Sequence, residues 1–132
     1  MKAMCFFRVA IILLLLSLSS CKKETDIYLS IEDLVGTWKT DYFDKSPFYG
    51  PMTITFRDDY TLTIHYKKTL DDGPMFNVYV LSMFDIDGNK INYYGSDGNT
   101  STLLIKSFSG NTMKFRMSDL EINLTLEAEK IE

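Results

Sequence analysis

Polar and apolar side chains alternate with a period of two along most of the chain after residue 38. Alternation of this kind predicts β-strands that bury one face and solvate the other. We count eight such runs, whose inward sets would be Trp38, Thr40 and Tyr42; Met52, Ile54 and Phe56; Leu62, Ile64 and Tyr66; Phe76, Val78 and Val80; Ile91 and Tyr93; Leu103 and Ile105; Met113, Phe115 and Met117; Ile122, Leu124 and Leu126. The pattern therefore predicts an all-β protein.

Short polar pairs separate the runs and are of the kind that tolerate the positive φ angles of tight turns. They are Asp58-Asp59, Asp72-Gly73, Asp87-Gly88, Asp97-Gly98, Gly110-Asn111 and Ser118-Asp119. Eight antiparallel strands with short links would leave exposed edges unless the sheet closes on itself. We therefore predict an eight-stranded antiparallel up-and-down barrel. A sandwich of two four-stranded sheets is the alternative, because periodicity does not determine closure.

One short segment before the strands has a helical pattern. Ser30 is a candidate N-cap, and Asp33 stands three residues later in the capping-box position. We expect barely more than one turn, ending near Leu34.

The first twenty residues have the order of a secretory signal. Lys2 and Arg8 precede an apolar run that begins at Val9 and extends, counted generously, to Leu18. That run holds about ten residues, whereas a helix needs roughly twenty to span a bilayer. A transmembrane anchor is therefore not expected.

The run ends in Leu18-Ser19-Ser20-Cys21, which resembles the lipobox of bacterial lipoproteins. The resemblance implies that residues 1–20 are a lipoprotein signal peptide and that Cys21 becomes the acylated N-terminus, with the lipid bilayer as its partner. The other reading is an ordinary cleaved signal with a chance cysteine. Since Cys5 would be removed with the signal, Cys21 would have no internal disulfide partner, and acylation gives it a use.

Residues 21–29 are expected to form a flexible polar tether, and residues 30–132 the barrel domain. The charged stretch 22–26 is similar to segments that follow the lipidated cysteine in Bacteroidetes lipoproteins. That similarity implies a lipid anchor in the bacterial outer membrane, on the periplasmic leaflet or the cell surface.

Charge argues against nucleic acid as a partner. Loss of residues 1–20 would remove two of the 14 basic residues and none of the 18 acidic ones, so the net charge would fall from −4 to −6. A strongly acidic domain does not attract a polyanion.

The segment Gly36-Thr37-Trp38, between the helical turn and the first strand, resembles the Gly-x-Trp motif of lipocalins. The later strand-turn-strand segment 54–62 is similar to the second hairpin of small lipocalin-like lipoproteins of Bacteroidetes. The resemblance implies that Trp38 closes one end of the barrel beneath a basic side chain, for which Arg116 and Lys130 are the candidates. The superfamily's Thr-Asp-Tyr motif between late strands has no match here.

Candidate catalytic or metal-binding chemistry is sparse. His65 is the single histidine and lies opposite the inward face of its strand, so a metal site or a catalytic triad lacks partners. Asp85-Ile86-Asp87-Gly88-Asn89 begins like a calcium loop, but its glycine comes fourth rather than sixth. The Asp58-Asp59 and Asp71-Asp72 pairs are read as solvated turns. We expect no metal, no cofactor and no enzymatic activity.

Aromatic density marks the candidate ligand site. Tyr42, Phe43, Phe48 and Tyr49 cluster between the first two predicted strands. In lipocalins the corresponding loop lies at the barrel mouth, so these side chains, with Trp38, would line or cover a pocket for a small hydrophobic ligand. The competing interpretation is that they cap the core.

A second cluster, Pro74-Met75-Phe76 with Met83-Phe84, would add flexible thioether contacts or core packing. The function hypothesis is thus a membrane-tethered lipocalin-like binding module. Its alternative is a non-enzymatic interaction protein, an inhibitor or an accessory subunit of an envelope complex, with a filled barrel. The inward sets are mostly large, although Thr40, Ser82 and Ser107 would leave some space.

Overall fold

The computed structural model describes residues 27–71, 73–95, 98–118 and 122–132. The predicted signal peptide, Cys21 and most of the predicted tether lie outside the described residues. The described chain forms one helix and nine strands: α1 Ile31–Leu34, β1 Gly36–Thr40, β2 Asp44–Lys45, β3 Phe48–Phe56, β4 Thr61–Thr69, β5 Met75–Asp87, β6 Lys90–Tyr94, β7 Thr100–Phe108, β8 Thr112–Ser118 and β9 Asn123–Lys130. No helix in this part of the chain is both long and apolar enough to cross a bilayer.

The sheet closes into an antiparallel barrel of eight strands, because β1 pairs with both β9 and β3. From β3 to β9 each strand pairs with the next in sequence. The predicted barrel is therefore confirmed and the sandwich is wrong. The ninth strand, β2, is a two-residue arm that pairs with the start of β3. It was not predicted because two polar residues, Asp44 and Lys45, carry no alternation.

The helical turn forms as predicted. The Asp33 carboxylate accepts hydrogen bonds from the backbone N–H of Ser30 at 2.9 Å and from its hydroxyl at 3.1 Å. These bonds fix the entry to α1 and direct Leu34 into the core, where it is fully buried. The turn thereby covers the end of the barrel at which β1 begins.

Most residues predicted to face inward are buried or partly buried, and three of them are exposed. Tyr42 was predicted to continue the inward row of the first strand, but β1 ends at Thr40 and Tyr42 is exposed. Phe76 is also exposed, because it lies near the start of β5, the longest described strand. Ser107 was predicted to face inward, but a register shift between Ile105 and Ser107 leaves it exposed.

The barrel has two ends of different construction. The Trp38 end carries α1 and the tight turns that join β3 to β4, β5 to β6 and β7 to β8. The mouth carries the connections from β1 to β3, from β4 to β5, from β6 to β7 and from β8 to β9.

Candidate functional site

The Trp38 end is closed by a fully buried indole whose polar atom is satisfied. Trp38 Nε1 donates a hydrogen bond to the Leu34 carbonyl at 2.9 Å. The Lys130 ammonium lies 5.5 Å from the centre of the Trp38 ring, and the Phe108 ring lies 5.8 Å away. Lys130 is thus the basic side chain over the tryptophan, while Arg116, the other candidate, points to solvent from β8. This end is a packed closure.

Gly36 permits this closure because its backbone adopts a φ of +132°. A Cβ at this position would collide with the backbone oxygen of Glu132 and with the side chain of Lys130. The Gly-x-Trp motif is therefore explained by geometry: the glycine admits the C-terminal strand, and that strand brings Lys130 over Trp38.

The barrel interior is filled by large side chains. Phe56 and Phe84 pack edge to face with ring centres 5.3 Å apart, and Phe115 is fully buried. The internal void found in the described structure has a volume of about 10 Å³, space for a single water molecule. It lies near the mouth and is lined by Ile64, Tyr66, Val80, Tyr93, Gly95, Met117 and Ile122.

The aromatic residues predicted to form the ligand site differ in burial and lie in different parts of the barrel. Phe48 is buried at the mouth, edge-on to Tyr66 at 6.0 Å, and Phe43 packs onto Gly50. Tyr49 is half-buried and Tyr42 is 68% exposed. Trp38 lies at the opposite end, so the five residues do not surround one pocket. Phe43 and Phe48 act here as a cap on the core.

A split in the barrel wall lies between β5 and β6. Their ladder runs from the turn as far as Phe84 and Tyr93 and then stops. Beyond that pair the Ser82 hydroxyl stands between the two strands: its Oγ accepts a hydrogen bond from the Tyr94 N–H at 3.0 Å and donates one to the Met83 carbonyl at 2.7 Å. One hydroxyl therefore replaces the next backbone bond, and the strands separate.

The split opens into a cleft of about 410 Å³, which we call the wall cleft. Its lining residues are Met83, Phe84, Asp85, Asn92, Tyr93, Tyr94 and Thr100. Tyr93 also lines the internal void, so the two spaces share this residue. On the outer side Asn92 Nδ2 donates to Asp85 Oδ1 at 3.0 Å. The cleft thus combines apolar side chains with a polar rim of comparable extent.

Sequence reasoning found only part of this site. Met83-Phe84 stood out as a thioether-aromatic cluster, but Tyr94, Asn92 and Thr100 drew no attention. The available signal was Ser82, a hydroxyl within an apolar run. The alternation predicts an inward residue that leaves space at this position, whereas in the structure its hydroxyl bonds to the Tyr94 N–H where the two strands part.

The described titratable groups show no catalytic arrangement. The Thr61 hydroxyl donates to Asp59 Oδ1 at 2.6 Å and lowers the pKa of that exposed carboxyl, as expected for a turn. His65 Nε2 lies 3.0 Å from Asn77 Oδ1, and its ring stacks on Tyr79 at 4.6 Å. In residues 27–132, apart from the undescribed positions, no cluster of three potential metal-ligating side chains occurs.

Comparison with known proteins places this geometry in context. A family model described as a lipocalin-like domain matches residues 34–115, from the end of α1 to the middle of β8. Among solved structures, the bovine lipocalin allergen Bos d 2 is 18% identical, with a TM-score of 0.44 over 76% of this chain and 73% of that chain. No curated protein sequence matches the chain.

Proposed function

The chain belongs to the lipocalin-like domain family, and from that membership we propose that it is a membrane-tethered binding module for a small hydrophobic ligand in the bacterial cell envelope. The observation that carries the proposal is the wall cleft, whose volume of about 410 Å³ falls within the usual range of ligand pockets. Lipocalin-like barrels suggest small hydrophobic ligands, and the cleft supplies the room that the filled interior lacks.

The lining suits a ligand with an apolar body and a polar end. Met83 and Tyr94 offer exposed apolar surface, and the hydrogen-bonded Asp85 and Asn92 lie on the polar rim. Burial of apolar ligand surface against these side chains supplies the affinity, and the rim fixes orientation.

Tyr93 is the residue through which the cleft would reach the interior. Tyr93 lines both the wall cleft and the internal void. A shift of this ring would join the two spaces, and the flexible Met117 thioether on the far wall of the void could adapt to an inserted chain. The apolar end of the ligand would then enter the barrel beside the mouth rather than through it.

The tether would leave the barrel close to the cleft. The Leu29 N–H donates to the Gly88 carbonyl at 3.1 Å, which holds the start of the described chain against the β5–β6 turn. Leu29 is eight positions after Cys21 in the sequence, which corresponds to a reach of at most about 29 Å. An acylated Cys21 in the outer membrane would therefore keep the cleft near the lipid from which a hydrophobic ligand would come.

The alternative is an interaction protein with a filled barrel, and the void of about 10 Å³ favours it. In that case the family's barrel serves only as a scaffold, and the outer surface binds a partner protein.

Two measurements separate these functions. Native mass spectrometry of the chain lacking residues 1–20, purified from its own host, is expected to detect a co-purified lipid. A clean apo mass accompanied by a co-purifying protein would support the alternative instead.

Titration with the fluorescent probe 8-anilinonaphthalene-1-sulfonate then locates the site. Tyr94→Ser should weaken probe binding about tenfold, because loss of an apolar contact worth at least 1.4 kcal/mol has that effect. The matched control is Tyr42→Ser, which changes an equally exposed tyrosine away from the cleft. Equal weakening by both variants, or by neither, would contradict a site in the wall cleft.

The anchor is tested separately by labelled palmitate in cells expressing the full chain. Cys21→Ser should abolish incorporation, whereas Cys5→Ser should retain it because Cys5 would be removed with the signal. Label that survives Cys21→Ser would overturn the proposed acylation site.

A further inference from the structure

One backbone hydrogen bond, together with the β4–β5 register, shows which residues of β5 direct their N–H and C=O groups toward β4. The Phe84 N–H donates to the Tyr60 carbonyl at 2.9 Å, on the β4 side. The pairing of β4 with β5 continues from there without a register shift to Thr69 and Met75. Since successive residues of a strand direct their backbone groups to opposite sides, the even-numbered residues of this stretch face β4 and the odd-numbered ones face away.

The side facing away lacks a partner strand in the described structure. β6 pairs with β5 only from Phe84 onward, and Ser82 interrupts the ladder at that point. The N–H and C=O groups of Met75, Asn77, Tyr79 and Leu81 therefore point toward an edge that no described strand occupies. A row of such groups is a template for another extended chain.

The side chains along this edge are equally unusual for an exposed surface. Tyr79 is 61% exposed and Leu81 is 75% exposed, and the whole stretch Met75–Met83 contains no charged residue. Natural proteins commonly protect such an edge with charges, proline or a bulge. None of these protections interrupts Met75–Met83.

We propose that a second copy of this chain adds its own β5 to this edge in antiparallel orientation, with Tyr79 at the two-fold axis. Tyr79 is the midpoint of Met75–Met83, so each odd-numbered residue would face an odd-numbered partner: Tyr79 faces Tyr79, and Asn77 faces Leu81. Both residues of each such pair direct their backbone groups to the shared edge, as an antiparallel ladder requires.

A second copy suits the edge better than an arbitrary strand. An isologous pair needs a segment that complements itself. The chain as a whole carries a net charge of −4, but Met75–Met83 is uncharged, so two copies meet here without like charges in opposition. The pairing requires neither a ligand nor acylation. An experiment can therefore disprove the pairing without disproving the proposed function, and can disprove the proposed function without disproving the pairing.

Co-isolation of two differently tagged full-length chains, expressed together and solubilised from cells, tests the pairing. Unchanged copies should co-isolate. Tyr79→Lys in both copies should reduce co-isolation about tenfold or more, because two ammonium groups would face each other at the axis. Tyr79→Lys with Tyr79→Glu should restore it, since the facing charges then attract.

Tyr42→Lys in both copies is the matched control, because Tyr42 is equally exposed but lies outside β5. This control should co-isolate as the unchanged chain does. The proposal is overturned if the unchanged copies do not co-isolate, if Tyr79→Lys has no more effect than Tyr42→Lys, or if the mixed charge pair does not recover. It is also overturned if Tyr79→Lys acts only by weakening binding to phospholipid vesicles, which would make this edge a lipid contact.

A disulfide provides a second measurement that does not depend on affinity. Facing residues of a hydrogen-bonded antiparallel pair have Cα atoms about 5.5 Å apart, within the range of a disulfide. Tyr79→Cys in the full chain should form a reducible dimer under oxidising conditions. Lys114→Cys, an exposed position on β8, should remain monomeric. Equal cross-linking at both positions would contradict a pair centred on Tyr79.

Discussion

The Trp38 end and the wall cleft lie on the same barrel and both contain large aromatic side chains. The Trp38 end buries its apolar surface, whereas the wall cleft exposes it. At the Trp38 end the indole is fully buried and its Nε1 is bonded to a carbonyl. At the wall cleft Met83 is 67% exposed and Tyr94 is 60% exposed. The difference follows from strand pairing: β1 has a neighbour on both sides, whereas β5 loses β6 at Ser82.

The comparison separates the part of the barrel that stabilises the fold from the part in which we propose binding. A closed ladder lets side chains pack on the inner face, and a split ladder leaves both backbone and side chains available to a ligand or a second chain.

Removal of the indole should produce the largest loss. Trp38→Ala should lower the free energy of unfolding by about 3–5 kcal/mol, because a large buried ring leaves a cavity and the Leu34 carbonyl loses its donor. Urea unfolding followed by circular dichroism measures this. Tyr94→Ala, the counterpart at the cleft, should stay within about 0.5 kcal/mol of the parent. Similar losses in the two variants would remove the distinction between the Trp38 end and the wall cleft.

A backbone test at the Trp38 end comes next. Gly36→Ala should cost about 3 kcal/mol, since it combines positive-φ strain with a collision against Glu132 and Lys130. Gly110→Ala is the control: its φ is also positive, at 91°, but a Cβ there meets nothing, so about 1 kcal/mol is expected. Thermal or urea unfolding of both variants measures the two losses. Equal losses would contradict the collision at Gly36.

The hydroxyl that parts β5 from β6 should have a moderate effect. Ser82→Ala removes the bonds to the Tyr94 N–H and the Met83 carbonyl, and should cost about 1 kcal/mol. Hydrogen exchange should accelerate at the Tyr94 amide, while the Trp38 amide, in the closed ladder, keeps its rate. Unchanged exchange at Tyr94 would mean that Ser82 does not hold the split.

The smallest effect is expected on the open edge. Leu81→Lys should change the free energy of unfolding by no more than about 0.5 kcal/mol, because the side chain is already in solvent in the single chain. Urea unfolding at low protein concentration, where copies would separate, is the appropriate measurement. A loss above about 1 kcal/mol would indicate that Leu81 packs against part of its own chain.

Much of the fold was predictable from period-two alternation, because inward rows such as Ile54 with Phe56 record which face of a strand is buried. Closure followed from the cost of free edges, and Lys130 was one of two candidates for the position over Trp38. The inward rows could be predicted because each depends only on its own strand, whereas the position over Trp38 was implied by the lipocalin resemblance.

The candidate site was less predictable, because it depends on which strands separate. Alternation reports which face of a strand is buried and gives no information about the strand's edge neighbours. The sequence therefore shows a hydroxyl at Ser82 but not that the ladder with β6 ends beside it. The period-two alternation also predicted that Tyr42 faces inward, but β1 ends at Thr40, two residues earlier. Part of the aromatic cluster lies at the mouth, whereas the wall cleft lies beside Tyr93.

The most direct test of the central claim is an NMR titration of the isotope-labelled chain with dodecanoate, followed through backbone amides. The proposal predicts saturable shifts at Phe84, Tyr93, Tyr94 and Thr100, around the wall cleft, and unchanged resonances at Trp38 and Phe115. Shifts centred on Trp38 and Phe115, or no saturable shift anywhere, would contradict ligand binding in the wall cleft.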